Sequence, residues 1–77
     1  MDVEVRTAIL TRFGENARNL RKKKNLSQEK LAELAGMDAT YISGIERGVR
    51  NPSVLAVVQL MNALGASPEK LFSGLSK

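Results

Sequence analysis

Cysteine, histidine and tryptophan are absent from this 77-residue sequence, and proline occurs only twice. Without cysteine the chain has neither disulfides nor thiolate metal sites. Without histidine it also lacks the usual general base of enzymes and the commonest metal ligand. Because no paired acids mark an evident pocket either, we expect no catalysis, no cofactor, no metal site and no small-molecule ligand.

Long apolar stretches are missing too. No run approaches the roughly 18 residues that a membrane-spanning helix requires. The first four residues, Met-Asp-Val-Glu, are acidic, whereas a signal peptide begins with basic residues. We therefore expect a mature, soluble, cytoplasmic chain with no membrane partner.

Positive charge is in excess, since 12 lysines and arginines face 8 acids and leave a net charge of +4. A basic balance is typical of nucleic-acid binders, although many basic proteins have other roles. The length fits a single domain over residues 1–77. Such a short domain buries only about 60% of the surface of its unfolded chain, so a second copy of the chain would add useful stability.

Apolar periodicity and capping residues predict five helices with short loops, and no strands. The first carries Ile9, Phe13, Ala17 and Leu20 on one face and stops at Asn25. Each of the others follows a capping serine or aspartate. The predicted helices are 3–24, 28–35 after Ser27, 39–47 after Asp38, 54–64 after Ser53, and 68–72 after Ser67.

The second and third predicted helices are separated by only three residues, Gly36-Met37-Asp38. Gly36 can adopt the positive φ that such a turn requires, and Met37 should fill the core between the helices. Two short helices joined in this way form a helix-turn-helix, which places its second helix in the major groove of DNA. We predict this unit over residues 27–47, with Ile42 and Ile45 facing inward.

Three segments carry a family resemblance: Leu26-Ser27-Gln28-Glu29-Lys30-Leu31-Ala32-Glu33-Leu34-Ala35-Gly36, Tyr41-Ile42-Ser43-Gly44-Ile45-Glu46-Arg47-Gly48, and Asn51-Pro52-Ser53. Together they resemble the phage repressor and Cro type (XRE) helix-turn-helix family, over roughly residues 13–72. The stretch 40–47 is most similar to the controller proteins of restriction-modification systems. The resemblance implies an all-α, five-helix domain of the lambda-repressor-like type.

The resemblance also implies roles for individual residues. Base-reading positions on the outer surface of the third helix would be Ala39, Thr40, Tyr41, Ser43 and Gly44. Phosphate contacts would come from Gln28, Arg47, Arg50, Asn51 and Ser53. Arg21 and Glu46 match an ion pair between the first and third helices, for which we prefer a structural role to a catalytic one.

One position departs from the family pattern. Controller-like sequences often carry a long polar or basic side chain where this chain has Ala39, and alanine cannot make the bidentate guanine contact that arginine makes. Gly44 offers no side chain at all. We therefore expect sparse direct reading of bases, with DNA shape and arginines elsewhere supplying part of the specificity.

Simpler interpretations stay open for several of these residues. Gln28 would also suit a plain helix surface. Tyr41 would suit a half-buried core position with its hydroxyl in water. The basic cluster Arg18, Arg21, Lys22, Lys23 and Lys24 is explained either by phosphate contact or by the negative end of the helix dipole.

The fourth predicted helix is more apolar than one buried stripe requires. Its core face is predicted to contain Val54, Val57, Leu60, Met61 and Leu64. A second patch would then form a homodimer contact within residues 54–75, made by Leu55, Val58, Gln59, Asn62 and Phe72. The alternative is that the last helix covers Leu55 and Val58 within one chain.

Together these features predict a transcriptional regulator that binds double-stranded DNA as a homodimer on a near-palindromic operator. The resemblance implies control of its own promoter and of restriction-modification genes, by blocking or recruiting RNA polymerase. The rival interpretation is an antitoxin or adaptor that uses the same fold to hold a protein. We expect that rival less because few residues follow Phe72 to form a toxin-binding tail.

Overall fold

Side-chain oxygens begin four of the five helices seen in the computed structural model, which describes residues 1–75. The last two residues of the predicted domain, 76 and 77, lie outside the described residues. The helices are α1 (Val3–Lys23), α2 (Gln28–Ala35), α3 (Ala39–Glu46), α4 (Val54–Leu64) and α5 (Pro68–Leu71). Asp2, Ser27, Asp38 and Ser53 each accept a hydrogen bond from a backbone N–H in the first turn that follows. These bonds satisfy donors that have no partner inside a helix.

Four predicted details need correction. Ser67 precedes α5 as expected, but its side chain makes no capping bond, and Pro68 opens the helix instead. Because proline lacks the backbone N–H and already has the helical φ, that helix needs less capping. The first and third helices end at Lys23 and Glu46, each one residue earlier than predicted. Phe72 follows the last turn of α5 rather than belonging to it.

The ends of α1 and α2 follow local chemistry. Asn25 adopts a φ of 57°, a left-handed conformation that asparagine tolerates better than most residues, and so stops α1 as predicted. Gly36 has a φ of 70° after α2, and the N–H of Met37 returns to the carbonyl of Ala32 at 2.8 Å. Met37 is half-buried against the core, as the sequence predicted. This turn sets the direction in which α3 leaves α2.

One core lies between the helices, and its fully buried side chains come from α2, α3, α4 and α5: Leu31, Ile42, Ile45, Leu60, Leu64 and Leu71. Phe13 and Ala17 add the buried face of α1. Apolar burial of this kind is the main stabilising contribution to a small domain. Within residues 1–75, no helix has the length and apolarity to cross a membrane.

The prediction for α4 was wrong at one end. Val54 was placed in the core, yet it is 81% exposed, while Ala56 is buried. The buried face is therefore turned toward the small residue, which lets the helix approach its neighbours closely. Leu60 and Leu64 lie in the core as predicted, and Val57 and Met61 pack at its edge.

Candidate DNA interface

The candidate interface lies on α3, and an ion pair joins the inner side of α3 to α1. Arg21 Nε donates to Glu46 Oε2 at 2.6 Å, and Arg21 Nη2 donates to Glu46 Oε1 at 3.0 Å. The remaining Arg21 Nη1 donates to the carbonyl oxygen of Leu26 at 2.7 Å. Arg21 is 8% exposed and Glu46 is 9% exposed, so water hardly competes for these bonds. The predicted pairing of Arg21 with Glu46 is therefore present in the structure.

Electrostatics favour the charged form of this arginine. Hydrogen bonding to Glu46 raises the pKa of Arg21 from its ordinary value and outweighs the opposing effect of burial. A bidentate pair also fixes orientation, because the planar guanidinium and the carboxylate must lie side by side. The pair thus sets the angle between α1 and α3.

Gln28, predicted to contact a phosphate, belongs to the same network. Its Nε2 donates to Glu46 Oε1 at 3.0 Å, and the side chain is half-buried. An amide nitrogen has two hydrogens. One N–H of the side chain is thus held by Glu46, which places Gln28 beside the C-terminal end of α3 in a defined orientation.

Because Gly14 has no side chain, α1 and α3 approach each other more closely than any other residue at this position would allow. A Cβ atom at this position would lie 2.3 Å from the carbonyl oxygen of Ile45 and 2.7 Å from that of Glu46. The sequence pointed only to a glycine tolerated inside a helix. An interior glycine among good helix formers is itself a signal of close packing, and that signal was missed.

The predicted base-reading positions of α3 differ in exposure. Thr40 is exposed, while Ala39, Tyr41 and Ser43 are half-buried. The ring of Tyr41 and the methyl group of Ala39 pack against the edge of the core. For Tyr41 the structure therefore supports the half-buried placement, and its outward reach is smaller than the base-reading prediction assumed.

Gly44 needs a correction, because it is buried rather than facing outward. The side chain of Arg50 lies across it, and a Cβ atom on Gly44 would lie 2.5 Å from Cγ of Arg50. The backbone N–H of Arg50 also donates to the carbonyl oxygen of Gly44 at 3.2 Å. The side chain of Arg50 thus packs on Gly44, which presents no surface of its own to a base.

The other predicted phosphate contacts surround α3. Arg47, Arg50 and Asn51 are exposed beyond its C-terminal end, and Arg47 Nε donates to the hydroxyl of Ser43 at 3.4 Å. Ser53 is exposed as well, and its hydroxyl accepts the N–H of Ala56 at 3.1 Å. These side chains leave a basic, uncovered rim beside the small residues of α3.

Asn16 is a further residue that the sequence did not reveal. Its Nδ2 donates to the carbonyl oxygens of Leu71 at 2.9 Å and Ser73 at 2.8 Å. These bonds satisfy carbonyl acceptors at the end of α5 and in the turn that follows it. Asn16 thereby fastens the C-terminal segment to α1. A partner 55 residues away leaves no local sequence signal.

The apolar patch on α4 and the C-terminal segment is uncovered. Leu55 is 75% exposed, Val58 is 40% exposed and Phe72 is 45% exposed. The alternative in which the last helix covers Leu55 and Val58 is therefore wrong. Phe72 packs against Phe13, with ring centroids 5.5 Å apart and the ring planes tilted by 52°. Gln59 donates to the carbonyl oxygen of Ala35 at 3.2 Å, which ties this predicted interface residue to α2.

The geometry is that of a helix-turn-helix, and the family comparison agrees. The model of the helix-turn-helix family matches residues 18–71. This chain therefore belongs to the helix-turn-helix family. Within it, the predicted similarity to the controller proteins of restriction-modification systems is confirmed by curated relatives and by solved structures.

Among the curated relatives, the control protein C.BamHI of Bacillus amyloliquefaciens is 47% identical over 60 residues, covering 77% of this chain and 74% of its own length. The crystal structure of the restriction-modification controller protein C.AhdI from Aeromonas hydrophila has a TM-score of 0.82 and 48% identity, covering 84% of this chain and 98% of that chain. The controller protein C.Esp1396I, as a tetramer in complex with its natural 35 base-pair operator, has a TM-score of 0.77 and 34% identity, covering 87% and 88%.

Proposed function

We propose that this chain is a transcriptional regulator that binds double-stranded DNA in a sequence-specific way and controls a restriction-modification system, including its own promoter. The observation that carries the proposal is the arrangement of α3. It presents the exposed Thr40 and is followed by the exposed Arg47, Arg50 and Asn51, while the Arg21–Glu46 pair fixes it to α1. Such a helix fits the major groove, and the bordering cations suit the phosphates. The operator complex of C.Esp1396I supports it as a precedent within the family.

Each contact has a defined task in this proposal. Thr40 and Ser43 read base edges, while Arg47, Arg50, Asn51 and Ser53 contact phosphates and set the register. Gln28 keeps one N–H on Glu46 and offers its second N–H to a phosphate beside the groove. The chain acts by occupying a promoter, where it blocks or recruits RNA polymerase, and it carries out no reaction of its own.

The experiment compares binding to the DNA upstream of the chain's own gene with binding to scrambled DNA, over a range of salt concentrations. Arg50→Glu should weaken binding to both DNAs and reduce the salt slope, by about 0.9 for each phosphate that is no longer neutralised. Lys70→Glu is the matched control, because it makes the same change of charge on α5, which packs on α1. Equal binding of the unmodified chain to both DNAs would refute sequence-specific regulation.

The proposed form on DNA is a homodimer whose contact includes Leu55, Val58, Asn62 and Phe72. Exposed apolar side chains of this kind on a small domain favour a symmetric contact with a second copy. Two copies would then place their α3 helices in successive major grooves, about 34 Å apart. A near-palindromic operator follows from this symmetry.

Sedimentation tests the dimer directly. Leu55→Glu should yield a folded monomer, because it places a charge at the centre of the patch. Leu34→Glu is the control, since Leu34 is an exposed leucine on a different helix. A Leu55→Glu variant that still sediments as a dimer would refute this interface. It would not contradict the proposal that the chain binds DNA.

A protein-holding role is the second candidate, supported by the same uncovered patch. If the patch binds a different protein, the purified chain should be a monomer and should still carry an exposed apolar surface. Sedimentation of the unmodified chain therefore separates the two candidates.

A further inference from the structure

The hydroxyl of Thr40 is oriented by its neighbour Asp38. Asp38 Oδ1 accepts two hydrogen bonds from the same residue, from the Thr40 hydroxyl at 2.6 Å and from the Thr40 N–H at 2.8 Å. Both side chains are exposed at the start of α3. The short hydroxyl bond is typical of a charged acceptor.

This bond decides what Thr40 can offer to DNA. A threonine hydroxyl has one hydrogen and two acceptor lone pairs. Since an ionised carboxylate has no hydrogen to give, the hydrogen between the two residues belongs to Thr40 and points at Asp38. The hydroxyl oxygen then presents only lone pairs to the solvent. The same hydrogen bonds hold the pKa of Asp38 below its ordinary value, which keeps the acceptor charged at neutral pH.

The second carboxylate oxygen adds another acceptor. Both bonds from Thr40 end on Oδ1, so Oδ2 of Asp38 is available beside the Thr40 hydroxyl. Ala39, which lies between them, has no polar side-chain atom. The side chains of Asp38, Ala39 and Thr40 therefore offer two acceptors and no donor.

Ser43, about one turn further along, differs in this respect. Its hydroxyl oxygen accepts from Arg47 Nε at 3.4 Å, which leaves its own hydrogen available for donation. The hydroxyls of Thr40 and Ser43 thus have opposite polarity. Thr40 can only accept from DNA, and Ser43 can donate.

We propose that Asp38 and Thr40 together determine specificity by selecting a base that carries an amino group in the major groove, cytosine above all, and by rejecting guanine there. Cytosine presents only the N4 amino donor in that groove, whereas guanine presents the N7 and O6 acceptors. Adenine presents a donor next to an acceptor and should rank second. The inference rests on the proposed function and deepens it, because it names the base chemistry that this site recognises.

The rejection of guanine by Asp38 and Thr40 has a physical origin as well. Guanine opposite this pair would leave two acceptors, one of them charged, facing further acceptors without water between them. Unpaired buried polar groups of this kind are strongly unfavourable. We expect a preference of about tenfold for cytosine over guanine at one position of each half-site, the size of a good base contact.

The test selects binding sites from randomised DNA with the full chain and three variants. Asp38→Asn keeps an oxygen that caps α3 but replaces the second acceptor with an amide donor. Thr40→Val keeps the shape of the side chain and removes its hydroxyl. Both should reduce the cytosine preference to within about twofold at the same position, and Asp38→Asn should move it toward guanine or thymine. Ser43→Ala, the control, should change a different position only.

A selected operator with N4-methylcytosine at that position provides a second measurement. The methyl group replaces the amino hydrogen that points into the major groove. It should weaken binding of the unmodified chain about tenfold and that of Thr40→Val far less.

Two results would overturn the inference while the proposed function stands. One is selection of guanine by the unmodified chain at the position that Asp38→Asn alters. The other is an Asp38→Asn variant that selects the same operator with unchanged preferences. If the unmodified chain enriches no sequence at all, the proposed function fails, and this inference fails with it. Circular dichroism of each variant shows that α3 and the fold are retained.

Discussion

The two sides of α3 place very different constraints on the residues that form them. The inner side packs on α1 through Gly14, Arg21 and Glu46, and its polar atoms are paired within the protein. The outer side carries Thr40 and Ser43, which are less buried than the inner residues. A rigid inner side favours DNA binding, because the reading helix is already ordered before it meets the groove. The outer side is free to vary, so specificity can change there without loss of the fold.

Breaking the Arg21–Glu46 ion pair on the inner side of α3 should have the largest effect on the free energy of unfolding. Glu46→Ala leaves the Arg21 guanidinium buried without its partner, and we expect a loss of about 3–5 kcal/mol in the free energy of unfolding. Urea denaturation at fixed protein concentration measures it. The double variant Arg21→Met with Glu46→Leu should recover most of that loss, because well-packed apolar residues can replace a buried ion pair. A double variant less stable than Glu46→Ala would contradict this account of the pair.

The second largest effect on stability is expected from adding a side chain at Gly14, where α1 and α3 lie close together. Gly14→Ala improves the helix propensity by about 1 kcal/mol, yet its Cβ meets two backbone carbonyl oxygens that cannot rotate away. We expect net destabilisation of about 2 kcal/mol, as in an overpacked core. Thermal and urea unfolding check it, with the exposed neighbour Glu15→Ala as a control that should change stability by less than about 0.5 kcal/mol. Stabilisation by Gly14→Ala would show that α1 and α3 can separate freely.

Gly44 provides a contrast to Gly14. A Cβ atom on Gly44 would clash with a side chain, whereas one on Gly14 would clash with backbone. A Cβ on Gly44 meets Cγ of Arg50, which can move by changing rotamer. The gain of about 1 kcal/mol in helix propensity should offset the cost of moving Arg50, so Gly44→Ala should leave the free energy of unfolding nearly unchanged. It should weaken DNA binding several-fold, since Arg50 is displaced. Fluorescence anisotropy on operator DNA measures this. In an Arg50→Ala background the added methyl should have no further effect, and a persistent loss would point to a direct role for Gly44.

The smallest effect concerns acid pH. Thr40 lowers the pKa of Asp38, so the stabilising bond is fully present above the ordinary aspartate pKa and is lost as the pH falls through the lowered value. Carboxyl NMR of Asp38 should show this depressed pKa. Thr40→Val should raise the pKa partway toward its ordinary value, because the bond from the backbone N–H remains. An unchanged pKa in Thr40→Val would mean that the hydroxyl bond is not formed in solution.

Local chemistry made most helix boundaries predictable. Asp2, Ser27, Asp38 and Ser53 cap from adjacent positions, and Asn25 and Gly36 stop helices through their own backbone preferences. These contacts connect residues a few positions apart, so the sequence contains all the information that they need. The family resemblance added the Arg21–Glu46 pair, which spans 25 positions and has no local signal.

The candidate site could be predicted only in part. Thr40 and Ser43 reach the outer side of α3, as their spacing indicated. The burial of Gly44 depends on the path of the loop that returns Arg50 across it. The polarity of the Thr40 hydroxyl depends on a hydrogen-bond direction that residue types alone leave open.

The sequence by itself therefore determined the helices, most of their ends and the family, because caps, stops and periodicity act over short distances. Only the tertiary structure decided that Val54 is exposed while Ala56 is buried, that Gly14 accommodates the backbone of α3, and that Asn16 holds the end of α5. Which face of a helix is buried depends on how closely its neighbours can approach, and that distance is set by the whole packed core.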